Sequence, residues 1–268
     1  MLKRILGMVA VLVALAGLAY AQVFDEVAYG DHPKHRMDVY APKGAEGAPI
    51  VLMLHGGGWQ GGNKRWPNVW LSKSRHFLSK GYVFVSTATR LMPEADPLEQ
   101  VQDLARAMGY VQEHAAEWGG DPERIILMGH SSGAHVATLL GLQQDLLTAK
   151  GLNRPLAIIS LDTAALDVTA RMQRAPRPWL TTVFGADEEL WKAASPSEYM
   201  DTTDPPLLIV CSANRAWPCP TAEGFAKGRA NIDVLPVALD HRPVNAHLGR
   251  KGAYTDAVDD WLAGVGVR

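Results

Sequence analysis

The chain has 268 residues, of which 47% are hydrophobic and 20% are charged, a composition typical of globular proteins and unlike that of disordered or fibrous chains. Its 26 basic and 28 acidic side chains give a formal net charge of −2 without a run of like charges, which argues against nucleic acid as a partner. The length suits two small domains or one large α/β domain, and we expect one domain.

The N-terminal segment has the layout of a secretory signal peptide. Lys3 and Arg4 precede an uncharged apolar stretch, residues 5–19, which ends in the small-residue sequence Ala19-Tyr20-Ala21. This stretch is shorter than the roughly 20 residues that a membrane-spanning helix needs. We therefore expect residues 1–21 to be removed on export. Residues 22–268 would then form a secreted or periplasmic protein with no stable membrane span.

Strand-like and helix-like segments alternate along the remaining chain. Apolar runs rich in β-branched residues predict strands at 36–41, 50–54, 83–87, 125–128, 156–160, 207–210 and 232–237. Apolar residues at helical spacing predict helices around 101–111, 136–147 and 253–263. This alternation is typical of the α/β class, with a mostly parallel central sheet and helices on both faces.

The segment 167–206 interrupts the alternation with five prolines and with large aromatic residues that include Trp179, Phe184 and Trp191. A solvated surface insertion rarely carries so many aromatics. The segment is therefore predicted to be a flap that partly covers a pocket.

Residues 129–133 read Gly-His-Ser-Ser-Gly and lie between a predicted strand and a predicted helix. That context is the one a nucleophile elbow requires, in which a sharp turn projects the central serine, Ser131, from the top of the sheet. The alternative is an ordinary helix cap at Ser131 or Ser132.

Residues 55–58 read His-Gly-Gly-Gly and directly follow the predicted strand 50–54. A glycine triplet at the carboxyl end of a strand frees backbone N–H groups to point into a cleft, where they stabilise an oxyanion. Ligands of open α/β sheets bind at this edge, so the two glycine motifs are expected to meet there.

With both motifs the chain resembles the α/β-hydrolase superfamily over about residues 38–262. Within it, the resemblance is to the HGGG-bearing esterases of the hormone-sensitive-lipase-like group and to related bacterial carboxylesterases and formamidases. It implies an α/β-hydrolase fold, Ser131 as the catalytic nucleophile, and the N–H groups of Gly57, Gly58 and Ser132 as the oxyanion hole. Such acyl transfer needs no cofactor.

The same resemblance places a histidine base after the last strand. His241 follows the predicted strand 232–237 closely and is the first choice, with His247 as the alternative.

The resemblance also implies a carboxylate after the strand that begins at residue 207, and here the sequence departs from the family, since residues 212–220 contain no Asp or Glu. Trp217, or else Arg215, is placed at that position. Asp162 and Glu223 are the nearest substitutes, although each is interpreted first as a turn or capping residue. We therefore expect an atypical or missing acid and weakened catalysis.

The two cysteines of the chain, Cys211 and Cys219, are expected to form a disulfide in an oxidising compartment. The alternative for Cys211 is a buried strand thiol. The histidine pairs His32/His35 and His130/His135 lack the cysteine or carboxylate company of a zinc site, so no metal site is expected.

These features predict an exported serine hydrolase, carboxylesterase-like, that cleaves a small-to-medium carboxylic ester through an acyl-serine intermediate. Trp59, Trp179 and Trp217 would line its pocket or belong to the core. Two alternatives stay open: an amidase or formamidase, and an inactive hydrolase-fold binding protein, which the empty acid position suggests. Acyl and alcohol specificity depend on pocket shape, and the oligomeric state is open.

Overall fold

The computed structural model describes residues 21–174 and 176–267, so the expected signal peptide lies outside the described residues except for Ala21. Within them, eight strands form one sheet in the order β1-β2-β4-β3-β5-β6-β7-β8. β1 and β2 pair antiparallel with each other, and β2 pairs antiparallel with β4, whereas the other pairs are parallel. The strands are β1 (Ala21–Ala28), β2 (Arg36–Pro42), β3 (Ala48–Leu54), β4 (Val83–Thr87), β5 (Gly120–His130), β6 (Ala157–Leu161), β7 (Leu207–Ser212) and β8 (Ile232–Val237).

Helices cover both faces of this sheet, as the alternating pattern predicts. The α-helices among the described residues are α1 (Pro67–Ser79), α2 (Pro97–His114), α3 (Ser132–Leu142), α4 (Gln144–Ala149), α5 (Val168–Gln173), α6 (Pro178–Phe184), α7 (Glu188–Ala193), α8 (Pro218–Ala226), α9 (His241–His247) and α10 (Ala253–Gly264). Short 3-10 helices occupy Ala115–Trp118 and Pro196–Tyr199. No helix of this part of the chain combines the length and apolar character needed to cross a bilayer.

The strand β3 shows why the core has two layers. All seven of its residues are buried, because its apolar side chains alternate between the two faces of the sheet. Leu52 packs into the cluster formed with α2 and α3, whereas Val51 and Met53 pack into the cluster formed with α1, α9 and α10. Burial on both faces accounts for the continuous apolar run in the sequence.

The strand register brings four parallel strand ends to one edge of the sheet. Leu54 of β3 pairs with Gly129 of β5, and His130 pairs with Leu161 of β6. Leu161 in turn pairs with Val210 of β7. The residues that follow these ends therefore meet above the same edge, where ligands of open α/β sheets bind.

The segment 167–206 contains α5, α6, α7 and the second 3-10 helix, and its aromatic residues contact the loop that follows β3. The ring of Trp179 stacks on Trp59 at a centroid distance of 6.0 Å, and Phe184 meets the edge of Trp59 at 5.0 Å. The Trp191 indole N–H donates to the Phe184 carbonyl at 3.0 Å. Aromatic packing thus holds this segment over the carboxyl edge of the sheet.

A lysine is buried in the packing of α1, and no carboxylate of the described residues pairs with it. Lys73 is fully buried, and its Nζ donates to the carbonyl oxygens of Asn245, at 2.6 Å, and of Asn68, at 2.9 Å. Burial, with a smaller contribution from the charge of Arg250, lowers the pKa of Lys73 from 10.5 to about 7.

We expect this lysine to make folding stability depend on pH. Between pH 7 and 10.5 the Lys73 side chain is protonated in the unfolded chain but deprotonated in the folded one. The free energy of unfolding is therefore highest above pH 10.5 and decreases as the pH falls towards 7. Urea unfolding at pH 7.5, 8.5 and 9.5 should show wild-type stability rising relative to Lys73→Met, by up to roughly 1.4 kcal/mol per pH unit. Parallel curves for the two proteins would contradict this.

Candidate active site

Ser131 lies in a strained turn between β5 and α3. Its φ of 56° and ψ of −119° are unusual for a non-glycine residue. A Cβ at Gly133 would lie 2.3 Å from the carbonyl oxygen of His55, so a side chain there would push the two glycine motifs apart. This close approach explains why the final position of Gly-His-Ser-Ser-Gly is glycine.

The loop after β3 forms a tight turn next to Ser131. Gly57 has a φ of 147°, its carbonyl accepts a hydrogen bond from the Gly61 N–H at 3.0 Å, and a Cβ on Gly57 would collide with the Gly61 carbonyl. Its neighbour Gly58 lines the cavity that contains Ser131 and Ser132. Of the three residues expected to form the oxyanion hole, Gly58 and Ser132 therefore line this cavity, and Gly57 directly precedes Gly58 in the chain.

The next residue of that loop, Trp59, is held by a hydrogen bond to a buried histidine. Its indole N–H donates to Nδ1 of the buried His135 at 3.1 Å, while His135 Nε2 donates to the Ala194 carbonyl at 2.7 Å. Burial lowers the pKa of His135 to about 4, which keeps the ring neutral and able to accept on one nitrogen. These two hydrogen bonds connect the loop after β3 with the segment 167–206 through His135.

His241 is the first residue of α9 and contacts Ser131. Its Nε2 lies 3.0 Å from the Ser131 Oγ, and its Nδ1 lies 2.6 Å from Oδ2 of Asp162. Nε2 of the buried His130 donates to the His241 carbonyl at 3.0 Å, which fixes the start of α9. Burial lowers the pKa of His130 to about 3, so its ring stays neutral. The alternative base, His247, is the last residue of α9, at the other end of the helix.

Asp162 directly follows β6 and has a positive φ of 53°. Its Oδ1 accepts a hydrogen bond from the Ser212 N–H at 2.9 Å, and its side chain is buried. Burial acts to raise the pKa of this carboxyl, but the hydrogen bonds from His241 and Ser212 and the charge of Arg215 together hold it below its usual range. Asp162 is thus ionised at neutral pH.

The sequence predicts an atypical or missing acid, and the structure contradicts only a missing one, because the Asp162 carboxylate contacts His241 and is more than a turn residue. The carboxylate comes from the end of β6 instead of β7. These strands are neighbours, so both ends reach the same histidine. The side chains that contact the His241 Nδ1 are those of Asp162 and Arg215, whereas Trp217 is half exposed at the cavity wall. Glu223 is exposed on α8.

Arg215, the other residue that the sequence places at the acid position, contacts the acid. Its Nη1 lies 2.6 Å from the Asp162 Oδ2 and 2.9 Å from the His241 Nδ1. A guanidinium has no acceptor and stays protonated, so Arg215 and the Nδ1–H of His241 both donate to the same carboxylate oxygen. The arginine adds a second charge-assisted contact that fixes Asp162.

The cavity above Ser131 has a volume of about 290 Å³. Its walls include Trp179 and Leu180 from the segment 167–206 and Trp217 from the loop after β7. Two further wall residues, Arg171 and Arg177, were not singled out by the sequence analysis. No motif contains them, and only the folding of α5 and α6 over the sheet brings them to the site.

A disulfide joins Cys211, in β7, to Cys219, in α8, with a Cα–Cα distance of 5.1 Å. The prediction of this bridge agrees with the structure. The bridge encloses the loop that carries Arg215 and Trp217.

We expect the bridge to contribute roughly 2–3 kcal/mol to folding stability, because it closes a short loop in the unfolded chain. The variant Cys211→Ala/Cys219→Ala should show that loss in urea unfolding. Intact mass of the non-reduced wild type after thiol alkylation provides the complementary measurement. Two alkylated cysteines, or equal stabilities, would contradict the expectation.

Among the described residues, no group of three or more His, Cys, Asp and Glu side chains could hold a metal ion.

Comparisons with known proteins point to esterases. The chain is 34% identical over 119 residues, 44% of its length, to a probable isoprenylcysteine alpha-carbonyl methylesterase of Arabidopsis thaliana. It is 29% identical, over a gapped alignment of 272 positions that covers 91% of its length, to the esterase LipQ of Mycobacterium tuberculosis. It spans only 24% and 62% of those two proteins, respectively.

Solved structures show the same fold. A truncated carbohydrate esterase from gut microbiota superposes with a TM-score of 0.79 at 20% identity, covering 93% of this chain and 98% of that one. A thermophilic esterase of the planctomycete Thermogutta terrifontis superposes with a TM-score of 0.71 at 23% identity, covering 93% and 94%. The sheet order and these likenesses define an α/β-hydrolase fold. The model of the BD-FAE family matches residues 37–216, most of the chain, and the protein therefore belongs to the BD-FAE family.

Proposed function

We propose that the protein is a serine hydrolase that cleaves small-to-medium carboxylic esters. The observation that carries the proposal is the chain of contacts from the Ser131 Oγ to His241 Nε2, at 3.0 Å, and from His241 Nδ1 to Asp162, at 2.6 Å. A serine, a histidine and a carboxylate in this order form the arrangement that activates a serine for acyl transfer. Membership of the BD-FAE family and the esterase relatives support the same reaction.

In the first half of the reaction, the Ser131 Oγ attacks the ester carbonyl while His241 Nε2 takes the hydroxyl proton. Asp162 keeps the Nδ1–H tautomer in place and stabilises the imidazolium that forms. N–H groups of Gly57, Gly58 and Ser132 donate to the oxyanion. The C–O bond then breaks, and the alcohol leaves with the proton from His241.

In the second half, His241 removes a proton from water, and the resulting hydroxide attacks the acyl-serine carbonyl. Collapse of the second tetrahedral intermediate returns the proton to the Ser131 Oγ and releases the carboxylic acid. A cavity of about 290 Å³ lies at the lower end of ligand-pocket volumes, which favours small or medium substrates.

Turnover of matched substrates tests the proposal. Wild-type protein should hydrolyse 4-nitrophenyl butyrate and be inactivated by a phosphonate ester, whereas it should turn over the 4-nitroanilide of the same acid far more slowly. Comparable kcat/KM values for ester and anilide would favour an amidase. Absence of turnover and of inactivation in folded protein would favour a binding protein.

We further propose that the protein is exported, with residues 1–21 removed. The charged and apolar layout of the first 21 residues supports this, and so does the pairing of Cys211 with Cys219, since disulfides persist in oxidising compartments. Expression of the full chain in a bacterial host, followed by fractionation and intact mass, should give a periplasmic or secreted species that begins at Gln22. A cytoplasmic species that retains residues 1–21 would contradict this.

A further inference from the structure

Two arginines in the segment 167–206 line the cavity of Ser131, and the proposed reaction does not use them. Arg171 lies in α5, and Arg177 directly precedes α6. Within the part of the chain that the structure describes, neither side chain has a carboxylate within ion-pair distance. Both cations therefore face the substrate space without a counter-charge.

The remaining charges on the cavity wall do not compensate them. The wall carries three arginines and one carboxylate, Asp162. Asp162 is already paired with Arg215 and with His241. The balance at the wall is therefore positive, by the charges of Arg171 and Arg177.

Arg171 is also held in place. Its guanidinium carbon lies 5.8 Å from the ring centroid of Trp217, within the distance of a cation–π contact. Trp217 belongs to the loop enclosed by the Cys211–Cys219 bridge. A cation restrained in this way loses little side-chain freedom when it binds an anion.

The positive wall continues beyond this contact. A second cavity, of about 400 Å³, shares Arg171 and Trp217 with the first. Its other lining residues include two more arginines, Arg174 and Arg229, and apolar side chains such as Met200. One carboxylate lines it, that of Asp167, whose Oδ1 accepts from the Ala170 N–H to cap α5. A substrate longer than the first cavity would enter a space of the same charge.

We infer that the preferred substrates are esters that carry a carboxylate elsewhere in the molecule, bound by Arg171 and Arg177. This inference rests on the proposed esterase function. A guanidinium matches a carboxylate with two parallel charge-assisted hydrogen bonds. A neutral ester of the same length offers no carboxylate to Arg171 and Arg177, so it binds less well.

Two matched pairs of esters test the inference, because the carboxylate could belong to the acyl or to the alcohol part. The first pair is monomethyl adipate and methyl hexanoate. The second is 6-acetoxyhexanoate and hexyl acetate. At low ionic strength, kcat/KM should favour the charged ester at least about tenfold in one pair. The preference should shrink in 1 M NaCl, where the Debye length is about 3 Å.

Variants locate the effect. Arg171→Gln and Arg177→Gln should each lower the ratio of charged to neutral kcat/KM, and the double variant should bring it close to one. Arg250→Gln is the matched control, since it removes the same charge from an exposed residue at a different cavity, and it should leave the ratio unchanged. Circular dichroism checks the folding of each variant.

The possible results distinguish a failure of this inference from a failure of the proposed esterase function. Turnover of the neutral esters without a charged preference in either pair would overturn the inference alone. A preference that survives in the double variant would overturn the assignment to Arg171 and Arg177. Absence of turnover of all four esters, while 4-nitrophenyl butyrate is hydrolysed, would overturn the inference alone. Absence of turnover of 4-nitrophenyl butyrate as well would overturn the esterase proposal and the inference with it.

Discussion

Replacing Ser131 with alanine should reduce ester turnover about 10⁶-fold, as loss of the nucleophile does in other serine hydrolases. The alanine leaves the backbone and the oxyanion donors in place but removes the oxygen that would form the acyl intermediate. His241→Ala should cost about as much, and the double variant should cost no more than either single one, because the two residues act as a unit. Steady-state kcat on 4-nitrophenyl butyrate measures all three.

A matched control is Ser79→Ala, which removes an exposed hydroxyl at the end of α1. It should retain wild-type kcat. If folded Ser131→Ala protein kept more than about 1% of wild-type turnover, where a loss of several orders of magnitude is expected, Ser131 would not be the nucleophile.

Changing Asp162 to asparagine should lower kcat about 10⁴-fold, which corresponds to about 5.4 kcal/mol of transition-state stabilisation. The amide can donate to His241 Nδ1, which would move the ring proton to Nε2 and leave no acceptor for the Ser131 hydroxyl. Turnover of 4-nitrophenyl butyrate by folded protein is the measurement.

Two further variants distinguish a role of Asp162 as the acid from an empty acid position. Glu223→Gln should leave kcat unchanged, because Glu223 is exposed on α8. Trp217→Asp should gain nothing, because His241 already has its carboxylate. A rise in kcat in Trp217→Asp, together with full activity of Asp162→Asn, would mean that the acid position is empty after all.

Local sequence patterns predicted much of the fold and part of the candidate site. The bounds of β4 and β8 agree with the predicted strands, because each is a short segment rich in β-branched residues, preceded closely by Gly81 or Asn231. The glycine motifs predicted where Ser131, Gly58 and Ser132 meet, because a close backbone approach demands glycine at fixed positions.

Other elements lack such a local signal. β1 is an edge strand with five exposed residues, so its sequence shows no buried face. α1 buries Lys73 and Ser74 together with Val69 and Phe77, and polar residues on its inner face hide the helical period. The predicted helix 136–147 is two helices, α3 and α4, that break at Gln143.

The acid illustrates a different limit. Asp162 and His241 are separated by 79 positions in the chain, and their contact depends on the pairing of β6 with β7 and of β7 with β8. A turn aspartate after a strand has many structural explanations, so sequence alone could not assign it to the histidine. Arg171 and Arg177 are similar, since only tertiary folding brings them to the cavity.

Covalent labelling of wild-type protein with a fluorophosphonate, followed by peptide mass spectrometry, tests the role of Ser131 most directly. The probe reacts with a serine that an adjacent base activates, so the Ser131–His241–Asp162 chain of contacts predicts one adduct per molecule, on Ser131, and none in folded Ser131→Ala. An adduct on another residue, or labelling that persists in Ser131→Ala, would contradict it.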